Sequence, residues 1–111
     1  MNIDDIYNGI MEYYDSNGIK FTERDKKEMK GQFDRLIKTL KEMLVKEYKK
    51  RTKDSRDIKP VVEKVIDKNI ECINEWVRSI LCPDVFDREK AWIDTINIAD
   101  KLIYEVIKEA K

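Results

Sequence analysis

The chain has 111 residues, 41% of them charged and 41% hydrophobic, and its 23 basic and 23 acidic side chains leave a formal net charge of zero. It contains no histidine, which excludes His-based acid or base catalysis, Ser-His and Cys-His nucleophile pairs, and His-bearing zinc or di-iron sites. Three glycines and two prolines are too few for a many-turned β fold, so the expectation is one domain, residues 1–111, built from few long elements.

The first segment, Ile3 to Tyr14, places Ile3, Ile6, Tyr7, Ile10, Met11 and Tyr14 at helical spacing, with Asp4 and Asp5 in the first turn where the helix dipole favours acids. The "DSNG" run, Asp15 to Gly18, stops it. A second helix opens at Thr22, with Asp25 three residues on in the manner of a capping box. Its apolar stripe is Met29, Phe33, Leu36, Ile37, Leu40, Met43 and Leu44, continuing toward Tyr48. Gly31 lies on its wet side, where it costs about 1 kcal/mol of helix propensity against alanine with no evident return.

The third segment begins near Asp57 or Ile58, carries Pro60 in a first turn that tolerates a missing amide, and runs to Cys82-Pro83 as one helix. Its apolar residues, from Ile58 to Leu81, cover an arc of about 200°, wider than one packing face requires. The fourth segment follows Phe86-Asp87, with Trp92, Ile96, Ile98, Ala99, Leu102, Ile103, Val106 and Ile107 on about half its wheel. Trp76 and Trp92 stand near the centres of their stripes and read as core. Short connections between these helices predict an all-α antiparallel helical bundle of three long helices plus a shorter N-terminal helix. In that topology the 52–57 turn meets the start of the first helix, and the 15–22 and 82–86 connections share the other end.

Charge is unevenly spread: residues 1–19 carry −4, residues 20–59 carry +7 and residues 60–111 carry −3. The basic region culminates in Lys46 to Pro60, "KEYKKRTKDSRDIKP". As a nucleic-acid surface it would offer Lys49, Lys50, Arg51, Lys53 and Arg56 to phosphates and Tyr48 as a stacking ring. Glu47, Asp54 and Asp57 interrupt it, a helix C-terminus wants bases for its own carbonyls, and Asp4 and Asp5 are expected at the same end. The bland reading, a solvated helix end and turn, is preferred.

Glu63, Asp67, Glu71 and Glu75 recur every four residues opposite the apolar arc of the third segment and read as a solvated acidic ridge, a docking face for a basic partner. Asn69 falls inside that arc and needs a hydrogen-bond partner on a neighbouring helix or in another subunit. Tyr104, on the polar side of the fourth helix beside Lys101 and Lys108, and Phe86, in a turn with few apolar neighbours, are candidate interface anchors. Cys72 and Cys82, on one predicted helix, stand about 15 Å apart along it, too far for a disulfide. Cys82 at a helix end lacks the adjacent base a reactive thiol wants.

No apolar run reaches the ~20 residues of a membrane span, and none has the layout of a signal peptide. Ile and Lys outnumber Leu and Arg, the bias of an AT-rich genome. The function expected is that of a small, cytoplasmic, non-catalytic protein-protein interaction module: an inhibitor, immunity factor or regulatory accessory protein, of the kind phages and mobile elements encode. It would bind a protein partner, self-associate through its wide apolar arcs, need no cofactor or metal, and not act as an enzyme. Nucleic-acid binding through residues 46–59 is the alternative, and carboxylate-metal catalysis ranks last because no paired constellation supports it.

Overall fold

The computed structural model describes residues 1–111, which form five α-helices and no strands. Helix α1 spans Ile3–Ser16, α2 Glu23–Arg51, α3 Lys59–Lys68, α4 Ile70–Leu81 and α5 Arg88–Glu109. Their caps follow from local chemistry. Asn2 and Asp5 exchange side-chain and backbone hydrogen bonds at the start of α1, and Thr22 and Asp25 do the same at the start of α2. Each box satisfies amide donors that a helix start leaves free. Asp87 accepts from the Lys90 amide to open α5, and Gly18, at φ 76°, supplies the left-handed residue that turns the chain after α1.

The expected third helix is two helices. Asn69 is the joint: its amide nitrogen donates to the Val65 carbonyl at 2.9 Å, while its backbone N–H is shared between the carbonyls of Val65 and Ile66. A side chain that back-bonds to the preceding turn competes with the helix ladder and bends it. The same amide also donates to Glu105 Oε2 at 2.6 Å, so the neighbouring-helix partner that burial demands is present on α5.

Cross-helix pairs give the directions. Lys68 with Glu109, Asn69 with Glu105, Cys72 with Lys101 and Trp76 with Thr95 show α3 and α4 running against α5. Arg51 lies over Tyr104 and Arg56 donates to the Ala110 carbonyl, which puts the C-terminal ends of α2 and α5 together. These contacts are compatible with an up-and-down helical arrangement. A continuous core of 22 apolar residues joins all five helices, with Phe33, Leu40, Leu44, Val65, Ile66, Ile73, Leu102 and Ile103 fully enclosed. Thr95 is the one buried polar residue. It accepts from the Trp76 indole N–H at 3.2 Å and donates to the Ala91 carbonyl at 2.7 Å, and no buried side-chain polar atom lacks a partner.

Two further expectations are corrected. At 14 residues α1 rises about 21 Å, against a molecule 50 Å long. Its end is fixed where the Tyr14 hydroxyl donates to the Leu81 carbonyl, and Tyr7 packs on Phe33 with ring centres 5.5 Å apart. The start of α1 therefore lies beside the first half of α2, and Asp4 and Asp5 make no ion pair with residues 46–59. Trp92, expected in the core, is 57% exposed, and Ile96 is also on the surface. No helix is long and apolar enough to cross a membrane.

Candidate protein-interaction surface

The basic stretch 46–59 is partly tied into the fold. Tyr48 is 4% exposed, so its ring is core and unavailable for stacking. Its hydroxyl donates to Asp54 Oδ2 at 2.6 Å, and Asp54 also receives Arg56 Nε and Nη2 at 2.9 and 2.6 Å. Arg56 Nη2 reaches on to the Ala110 carbonyl at 2.7 Å. The Asp54 carboxyl is consequently held far below the ordinary carboxylate range, first by Arg56 and then by Tyr48. Arg51 pairs with Glu47 at 2.8 Å and its guanidinium sits 5.6 Å from the centre of the Tyr104 ring. Two of the five candidate phosphate ligands are thus occupied, leaving Lys49, Lys50 and Lys53 exposed without ion partners.

The other sequence candidates do not converge. Glu63, Asp67 and Glu71 are exposed along α3 and the start of α4, with Glu63 3.7 Å from Lys41. No three cysteine or carboxylate side chains come together as a metal-ligand set. Tyr104 is 69% exposed, as expected, but already carries Arg51 on its ring. Cys72 and Cys82 are free thiols, both half-buried. Lys101 Nζ donates to Cys72 Sγ at 2.8 Å, and burial pushes the Cys82 thiol up against a smaller opposing pull from Arg78, away from the thiolate a nucleophile needs.

Phe86 marks a different kind of surface. It is 61% exposed, and with Val85 and with Trp92, Ile93 and Ile96 of α5 it forms the main concentration of large apolar side chains in water. At about 100° per residue, Trp92 stands within about 20° of Ala99 and Ile103, and Ile96 within about 20° of Ile103 and Ile107. One face of α5 is therefore buried along its second half and open along its first. The reason lies in its neighbours. Over the second half α2 packs along α5, with Arg51 over Tyr104, whereas the first half of α2 also carries α1, through Tyr7 on Phe33 and the Tyr7 hydroxyl on the Lys26 carbonyl. Between the first half of α2 and the end of α4 runs a groove of about 520 Å³, with Tyr14, Ile80 and Leu81 as floor, Met29, Arg35 and Leu36 as wall and Phe86 at the rim.

The groove passes over Gln32 and Arg35 into a shallow basin at Gly31, lined by Arg24, Lys27 and Glu28. Gly31 has open space where a β-carbon would stand. Helical periodicity reveals that Trp92 and Ile96 are on an apolar face, but not that this part of the face is left uncovered. Ile93, off the stripe, is an apolar residue on a polar side, the one signal in the sequence that this side of α5 is not simply solvated. Searches of protein-family models, of curated proteins and of solved structures each find no match to this chain.

Proposed function

We propose that the chain is a small non-catalytic protein-protein interaction module: one helical-bundle domain, residues 1–111, that acts by docking a protein on the surface made by Phe86, Trp92, Ile93, Ile96 and the adjoining groove. An inhibitory, immunity or regulatory accessory role is the form of activity this surface serves best. The observation that carries the reading is the open first half of α5, whose apolar face continues one that is fully packed farther along the same helix. The largest apolar patch on a small protein is often functional, and the anchors of protein interfaces are enriched in tryptophan.

The reading is tested by capture of partners on tagged chain from nuclease-treated lysate of the source cells, with Trp92→Glu as the control. Stoichiometric recovery of one protein by the parent chain and its loss from the variant is the expected result. Equal recovery by both, or recovery that disappears with nuclease treatment, overturns it. The nucleic-acid alternative has less support, because Arg51, Arg56 and Tyr48 are spent within the molecule.

A further inference from the structure

We infer that the protein which occupies this surface is a second copy of the chain, in a two-fold dimer that lays the first half of α5 of each protomer into the α2 groove of the other. This rests on the reading of the surface as a protein-docking site and names its occupant. A groove with an apolar floor and a helical wall suits a helix with apolar residues one turn apart. Arg35 lines both the groove and the basin beside it and has no ion partner, so the fitting helix also brings a carboxylate. The first half of α5 is such a helix. Trp92, Ile93 and Ile96 are exposed on it, and Glu89, one turn before Ile93 and likewise without an ion partner, shares their side.

Phe86 lines the groove and stands two residues before α5, so the groove and the start of α5 adjoin in one molecule; in an isologous interface a two-fold axis presents each α5 to the other groove and repeats every contact twice. Charge agrees, since Arg35 and Glu89 are of opposite sign and each is left unpaired within its own protomer. So does size. Val85, Phe86, Trp92, Ile93 and Ile96 together expose on the order of 500 Å², and with the groove lining and polar rim the patch approaches the ~800 Å² per partner of a standard interface.

The test is sedimentation of the purified chain over roughly 10 µM to 1 mM, beside three variants: Trp92→Ala, Arg35→Glu and Glu89→Arg. All three positions are on the surface, and circular dichroism confirms that each variant keeps its helices. The parent chain is expected to dimerise, and each single variant to weaken dimerisation by about tenfold or more. An equimolar mixture of Arg35→Glu and Glu89→Arg is expected to regain it, because in the mixed dimer both pairs are again of opposite charge, one in its native sense and one reversed. A parent chain that stays monomeric throughout overturns the proposal, and so does a dimer indifferent to the three substitutions or a mixture that stays monomeric. A monomer that still captures another protein through Trp92 removes the dimer while leaving the docking surface in place, which separates this inference from the functional reading beneath it.

Discussion

The two halves of α5 differ in what touches them more than in what they are made of. From Ala99 to Ala110 the apolar face is enclosed by α2 and α3, and the end is tied by polar bonds that run Tyr48 to Asp54 to Arg56 to the Ala110 carbonyl. Lys64 and Lys68 both reach Glu109 beside it. From Arg88 to Ile96 the same face carries Trp92 and Ile96, yet both stand in water. Amphipathicity therefore marks which side of a helix is apolar, while the neighbours decide whether that side is core or interface. Along its first half α2 also meets α1, and the corresponding stretch of the α5 face is left open.

The contrast is broken most sharply by cutting the same face at both ends. Ile103→Ala empties a fully buried site and is expected to cost about 2–5 kcal/mol of stability, whereas Trp92→Ala in the monomeric chain costs less than about 1 kcal/mol despite the larger side chain. Denaturant unfolding of dilute protein measures both, and at such dilution the Trp92 result is free of any contribution from association. A Trp92→Ala loss as large as that of Ile103→Ala would mean that the ring is core after all and the surface closed.

The tied end has a pH signature. The Asp54 carboxyl is held below its ordinary value by Arg56 and Tyr48, and Glu109 by Lys68 and Lys64. A carboxyl whose pKa is lower folded than unfolded stabilises the fold fully above its unfolded value near ~4, and the contribution is lost as pH falls from there toward the folded value. Asp54→Asn is accordingly expected to lower the melting temperature by the same amount at pH 7 and pH 5. Below about pH 4 the gap to the parent chain narrows, because the parent then loses what the variant never had. Melting curves across that range measure it, and a gap that stays constant with acid would show that the turn does not depend on the ionised carboxylate.

What the sequence made legible follows the same division. Helix type, the Thr22 cap, the start of α5 and most of the enclosed core were readable because they depend on local spacing and on residues within one turn of one another. The break at Asn69 was half legible: a buried amide had to find a partner, but that it would choose its own preceding turn as well as Glu105 depends on α5 lying alongside. The pairing of Arg51 with Glu47 and of Tyr48 and Arg56 with Asp54 is local; what was hidden is that Arg56 and Arg51 also engage Ala110 and Tyr104, more than fifty residues away in sequence. Trp92 was misread for the complementary reason. A missing neighbour leaves no mark on the helix that lacks it.

The smallest effect probes α1 and α2, beside the open half, through their glycines. Gly31 sits mid-helix with open space at its β-carbon position, so Gly31→Ala is expected to raise stability by up to about 1 kcal/mol through helix propensity alone. Gly9 in α1 differs: a β-carbon there would run into the Arg78 guanidinium, whose Nε donates to Asn74 Oδ1 at 3.1 Å. The contact is with the far end of a flexible side chain, so Gly9→Ala gains the same propensity but must displace Arg78, and its net benefit is expected to be smaller. Thermal melts of the two variants rank them, and a Gly9→Ala gain equal to that of Gly31→Ala would show that Arg78 moves at no cost. In the basin beside the groove an added methyl is too small to obstruct a docked helix, so Gly31→Ala also offers a stabilised chain whose association should match the parent's. That separates what holds the open half together from what it binds.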